Sequence, residues 1–463
     1  MKIAFVPIDN RPVCYTLAQQ IADIDEELEL FLPPREMLGN LKKIADINGI
    51  LQWLKNLPEI DKAIISLDTI AHGGLIPSRR STETFEEIKR RLEQLWNILA
   101  TKNVKVYAFS SIMRISNNNI NEEEKEYWNK YGEKIFQYSY NSHKIAPETF
   151  ENKDIPEEIL QDYLQTRKRN FDLNKYYLEL MQSDETKEMF ATLVFSKDDC
   201  AKYGFNVAEA ETLQQIINNS KVNALVKTGA DEIPLSLLSR AITQNKNIKI
   251  APIFTNPAST TKISKYEDVS VFDSVKGQIE LAGATLTNET EADIILFVNN
   301  FKDEQGELVM GVDVEGTQGN FELPKKPYII ADILNANGSD NCFMKNLLQK
   351  NLDKNFLGYA GWNTTGNTLG SALCCGLTKY LSKKTNENAF KKVQFIRFAD
   401  DWAYQANIRK ELKSYLKEIS EFELKKQIIS YEEILNNFLN TNYKDTRYSY
   451  PWERFFEIEV TPE

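Results

Sequence analysis

The feature that most constrains this chain is an alternation. Short β-branched, apolar runs end in a polar or Gly/Pro cluster, and a stretch of helical periodicity follows each. The runs are KIAFVPID, LELFLPP, KAIISLD, VKVYAFSSIMR, ATLVFSKDD, NALVKTGADE, IKIAPIFTNP, ADIILFVNN, PYIIADILNANG and FLGYAGWNTTG. Strands that are apolar throughout need cover on both faces. Alternating helices supply it over a mainly parallel sheet with right-handed crossovers. The expected fold class is α/β, with a TIM-barrel-like (β/α)8 core carrying additions. Two doubly wound α/β domains would satisfy the same alternation.

The additions are visible as interruptions. A charged stretch of about residues 117–188 separates SSIMRIS from ATLVFSKDD; it has a helical pattern and is too long for one crossover. It is expected as an inserted helical segment. From residue 379 the chain is helical and charged again, as in KELKSYLKEISEFELKKQ, and it ends in the aromatic-rich RYSYPWERFFEIEV. That ending is expected to form a strand packed back on the body. The expected domains are a barrel-like catalytic domain over 1–378 and a mainly helical extension over 379–463.

Composition removes several classes of function. The 463 residues carry 56 Lys and Arg against 67 Asp and Glu, a formal charge of −11. Such a balance disfavours nucleic acid and anionic membranes as partners. No apolar stretch approaches bilayer length, and MKIAFVPIDNRP lacks the pattern of a signal peptide, so the expected compartment is the cytoplasm. The 5 cysteines agree with that: the number is odd, no CxxC occurs, and adjacent Cys374 and Cys375 read as small buried helix residues. Only His72 and His143 are present, which disfavours zinc sites built on histidine, and a Ser-His-Asp triad would have to use one of the two. No P-loop and no strand-following GxGxxG occurs. No cofactor and no defined metal-ligand set is expected. Acid–base chemistry must then rest mainly on carboxylates, Lys, Tyr or Cys.

The polar clusters follow the strands, so they fall at strand C-terminal ends, the edge that holds the site in barrels and open α/β folds alike. IDNRP supplies Asp9, Asn10 and Arg11; SLDTIAHGGLIPSRR supplies Asp68, Arg79 and Arg80; SSIMR supplies Arg114. Arginines there can clamp a carboxylate or phosphate, or simply pair with nearby acids. SKDDCAKYG supplies Asp198, Asp199 and Tyr203, and TGADE supplies Asp231 and Glu232. Asn299, Asn300, Asp332, Asn335 and Asn337 follow later strands, and RFADDW carries a second acid pair, Asp400 and Asp401. GYAGWNTTGNTLG places Trp362 and Asn363 at a turn and Asn367 in the next helix, suited to stacking on and hydrogen-bonding a sugar, or equally to packing and capping. Asp198 and Asp199 are either a solvated, capping turn or a catalytic pair. Two carboxylates a few ångströms apart cannot both ionise freely, and a raised acid beside a charged partner is what glycoside cleavage requires.

The set PIDNRP, SLDTIAHGGLIPSR, SKDDCAKYGFN, GADE, NANG and GYAGWNTTGNTLG resembles, over nearly the whole chain, the bacterial family called domain of unknown function 4127. That resemblance implies no chemistry. A looser one is to glycoside hydrolases that remove N-acetylhexosamine by substrate assistance, in which a barrel strand ends in two aspartates and a late strand carries Trp-Asn. It implies that Asp198 orients the acetamido group, that Asp199 is general acid and base, and that Asn299, Asn300, Trp362 and Asn363 hold the sugar. This chain departs from that pattern in its start and in the strand the pair follows. The expected activity is cleavage of a small saccharide, N-acetylated or anionic, by the carboxylate pair. The alternatives are a Mg²⁺-dependent enzyme on sugar phosphates using Asp9, Asp68, Asp231 and Glu232, and a non-catalytic sugar-binding protein of two α/β lobes.

Overall fold

The apolar runs become strands, and the strands sort into two parallel sheets rather than one ring. A computed structural model describes residues 1–145, 154–198 and 201–463. The chain divides into two compact units: Met1–Asn10 with Leu30–Pro234, and Arg11–Glu29 with Leu235–Glu463.

The first unit holds β1 (Lys2–Val6), β2 (Glu29–Phe31), β3 (Lys62–Ser66), β4 (Lys105–Ile112), β5 (Phe190–Lys197) and β6 (Ala224–Thr228), in the order β2-β1-β3-β4-β5-β6. The pairs from β1 through β6 are parallel. Ile3–Val6 and Ala63–Ile65 are fully buried, because a parallel sheet is covered on both faces. Helices Phe85–Lys102, Trp128–Ile145, Glu157–Gln182 and Phe205–Ser220 belong to this unit. The first of them starts at a capping box formed by Thr84 and Glu87. The charged stretch between β4 and β5 contains the second and third.

The second unit holds β7 (Lys249–Phe254), β8 (Thr285–Leu286), β9 (Ile294–Asn299), β11 (Tyr328–Asp332) and β13 (Phe356–Ala360), all parallel, in the order β13-β11-β9-β7-β8. Two short pairs complete it: β10 (Gly306–Glu307) with β12 (Asn335–Ala336), and β14 (Arg447–Ser449) antiparallel to β15 (Glu459–Thr461). In the aromatic C-terminus the Phe455 carbonyl accepts from the Tyr404 hydroxyl at 2.8 Å, and Tyr448, Tyr450, Ile458 and Val460 are buried.

Both sheets are wound alike. In each, the first strand sends the second to one side and all later strands to the other, so the strand order reverses between β1 and β3 and again between β7 and β9. Right-handed crossovers from such an order carry helices to both faces, and the crevice at the reversal is the usual ligand position. Among the described residues no strand pair closes either sheet, so the barrel expectation gives way to two open sheets. The alternation reads the same for both architectures, because it does not encode whether edge strands meet. The boundary expected after residue 378 falls inside helix Thr365–Leu381, and the chain on both sides of it belongs to the second unit. Among the described residues no helix is long and apolar enough to cross a membrane.

Candidate functional site

In the first unit the strand ends converge around the β1/β3 reversal. Ser66 ends β3 and caps the next helix, its Oγ accepting from Thr69 N at 3.2 Å. That puts Asp68 in the helix's first turn, directly at the strand end. Thr69 Oγ1 donates to the Pro7 carbonyl at 2.7 Å, tying the ends of β1 and β3 together. Asp68 accepts from Ser111 N on β4 at 2.8 Å, and Ser111 meets Ser196 of β5, Oγ to Oγ, at 3.4 Å. Burial pushes the Asp68 carboxyl up to about 6, against the Ser111 hydrogen bonds and the Arg79 charge. Asp9 and Asp231, both buried, bring carboxylate oxygens within 4.8 Å of each other. Asn10 is held by its backbone: its carbonyl accepts from Arg35 Nε at 2.9 Å and its N–H donates to the Gly39 carbonyl at 3.2 Å.

Beyond these residues lies a network of ion pairs. Arg114 reaches Glu123 at 2.8 Å, Glu124 at 3.5 Å and Asp198 at 3.5 Å. Arg79 reaches the same two glutamates at 3.4 and 3.2 Å. The Arg114 and Asp198 side chains keep 19% and 26% of their surface, so this end of the sheet is partly open. Asp199 lies outside the described residues. Tyr203 packs edge-on against Tyr140 and His143 and has no hydrogen bond to Asp198 among the described residues. Glu232 is fully buried and accepts from Ala230 N at 3.0 Å, bracing the turn at Gly229. The triad idea finds no support at His72: burial and the Arg169 and Arg91 charges hold it neutral, and its Nδ1 has no partner among the described residues.

The second unit's strand ends form a closed polar cluster. Asn299 donates to Asp332 at 2.8 Å and to Asp340 at 3.3 Å, and accepts from Thr255 at 3.1 Å. Asp332 also accepts from Asp340 N at 2.7 Å and the Tyr359 hydroxyl at 3.2 Å. Burial, then the Asp340 charge, pushes Asp332 up to about 7. Asn300 and Asn256 exchange two bonds of 2.9 Å. Asn337 and Asn363 both sit in left-handed turns, φ 62° and 53°, joined by Asn337 N to the Asn363 carbonyl at 2.8 Å. Asn335 reaches the Ser339 carbonyl at 3.5 Å, and Asn367 serves the cap at Thr364. Arg397 pairs with Asp400 at 2.9 Å and Asp401 at 3.1 Å, and Asp401 accepts from Gly361 N at 2.8 Å. Trp362 is 4% exposed and donates Nε1 to Ser371 at 3.0 Å, so its ring packs against helix Thr365–Leu381 instead of offering a face to a sugar. Arg11 also belongs to this unit, its guanidinium over the Trp452 ring.

The sequence-predicted set thus divides. Asp9, Asn10, Asp68, Arg79, Arg114, Asp198, Tyr203, Asp231 and Glu232 are in the first unit; Arg11, Asn299, Asn300, Asp332, Asn335, Asn337, Trp362, Asn363 and Asn367 are in the second. Sequence reasoning missed Ser111, Glu123 and Glu124. The glutamates stand in NNNINEEEKEYW, part of the charged stretch that reads as an inserted helical segment.

A family model described as Protein of unknown function (DUF4127) matches residues 3–461. The chain belongs to the DUF4127 family. The matched span runs from β1 to β15, so both sheets of this DUF4127 protein lie within it. No curated protein matches the chain.

Proposed function

We propose that this DUF4127 protein hydrolyses a glycosidic bond of a small saccharide at the C-terminal edge of its first sheet. The observation that carries the reading is a carboxyl that burial pushes up to about 6, Asp68, two strands from an ion-paired carboxylate, Asp198. Glycoside cleavage needs one carboxyl that donates a proton and one that stays charged. β3 and β5 are separated by β4, so they run about 9–10 Å apart. Carboxyls about 6.5–9.5 Å apart leave room for the attacking water of an inverting reaction. On this reading Asp68 protonates the leaving oxygen and Asp198 activates water. The motif resemblance would instead give Asp198 the acetamido group and Asp199 the acid's role.

A panel of aryl glycosides, β-N-acetylglucosaminide and β-glucuronide included, tests the reading with the wild type and with Asp68→Asn, Asp198→Asn and Asp199→Asn. The expected result is inversion, with turnover reduced about a hundredfold or more in the Asp68 and Asp198 variants. Retention, with loss in the Asp198 and Asp199 variants, moves the acid's role to Asp199. Absence of turnover on every glycoside overturns the reading. The approach of Asp9 to Asp231 favours a second reading, a divalent cation serving hydrolysis of sugar phosphates. Phosphate release that EDTA abolishes and Mg²⁺ restores would establish it.

A further inference from the structure

Four arginines crowd the segment after β3, and three of them are consumed by the fold. Arg91 donates to the Ile70 carbonyl at 3.1 Å, to the Ala71 carbonyl and to Glu83. Arg80 donates to the carbonyls of Glu124 and Leu41, each at 3.1 Å, and to that of Glu122. Arg169 donates to the carbonyls of Ser78, Ser81 and Glu83 at 2.8, 2.6 and 3.0 Å, and to Asn170. Arg79 differs. Its side chain is 1% exposed, and Nη1 alone is engaged, with Glu123 and Glu124. Nε and Nη2 have no hydrogen-bond partner among the described residues.

These two nitrogens form one edge of the guanidinium, with parallel N–H groups. That edge is the fork that takes both oxygens of a carboxylate or phosphate. Native interiors leave few buried donors unpaired, because each costs its full desolvation. Hydrocarbon would fill the same place without that cost. Arg79 also belongs to the site: its charge acts on Asp68, and it shares both glutamates with Arg114, which holds Asp198. Arg79, Arg114, Glu123 and Glu124 balance in charge, so recognition there depends on the direction of the N–H groups more than on net attraction.

We propose that the Nε/Nη2 edge of Arg79 receives an oxyanion carried by the substrate, a carboxylate or phosphate substituent on the saccharide. This deepens, and rests on, the reading of the first-sheet edge as the place of saccharide hydrolysis.

Calorimetric titration of the full chain with glucuronate, glucose 6-phosphate and glucose tests the assignment. At least one of the two anions is expected to bind tenfold or more tightly than glucose, and which one does so separates carboxylate from phosphate. Arg79→Lys keeps the charge but not the fork and is expected to abolish the preference. Equal binding of all three, no binding of any, or a preference that survives in Arg79→Lys overturns the proposal. If that variant fails to fold, a crystal structure of the wild type with the preferred anion decides. Oxygens within hydrogen-bond distance of Nε and Nη2 support the proposal, and an anion bound elsewhere overturns it. Anion preference without turnover of any glycoside would leave this assignment standing and sink the glycosidase reading. Turnover without anion preference does the reverse.

Discussion

The two sheets share a winding order but differ in what stands at their strand ends. The first ends in acids and arginines of which Arg114 and Asp198 stay partly open, while Asp9, Asp68, Arg79 and Asp231 are buried. The second ends in amides and acids bound to one another, with Asn299, Asp332 and Asp401 at zero exposure. A buried network whose groups are bonded to one another fixes a fold; a half-open ion pair can meet a substrate. Equivalent positions in equivalent topologies therefore differ in exposure and bonding, and a list of polar strand-end residues does not separate them.

The largest expected effect that would break this comparison is on stability. Asp332→Ala strands the Asp340 N–H in the interior and takes one acceptor each from the Asn299 amide and the Tyr359 hydroxyl, which keep Asp340 and Ser339. At about 1–3 kcal/mol for an unsatisfied buried group, with two further bonds lost, urea unfolding should register a loss of about 2 kcal/mol or more. A loss under 1 kcal/mol would mean that the cluster is not scaffold.

A smaller effect follows from protonation. Asp332 and Asp401 are pushed up to about 7, chiefly by burial, from an ordinary value of 3.8. The folded chain then binds these protons more tightly than the unfolded chain, so their contribution is present at low pH and lost as pH rises through about 7. The urea midpoint should be higher at pH 5 than at pH 8, and Asp332→Asn should narrow that gap. An unchanged gap would show that Asp332 does not hold its proton.

The smallest effect concerns Trp362. Trp362→Phe removes one buried hydrogen bond, to Ser371, and should cost about 1 kcal/mol in the same unfolding experiment.

The sequence made the strands and the polarity of their ends legible, because a strand covered on both faces must be apolar and can turn polar only where it leaves the sheet. It did not reveal how the sheets are built, since β-α alternation precedes any choice of strand neighbours. It also could not seat Trp362, whose burial depends on where the helix carrying Ser371 packs. Arg11 follows Asn10 directly, yet the chain changes unit between them. Glu123 and Glu124 became site residues only once the chain after β4 brought them to Arg79 and Arg114.

The most direct test of the division between working edge and scaffold edge is kcat/KM for the best aryl glycoside, measured side by side for Asp198→Asn and Trp362→Phe. A fall of about a hundredfold or more for Asp198→Asn, with Trp362→Phe close to wild type, is the predicted result. Full activity in Asp198→Asn together with a collapse in Trp362→Phe would contradict the account and move the site to the second sheet.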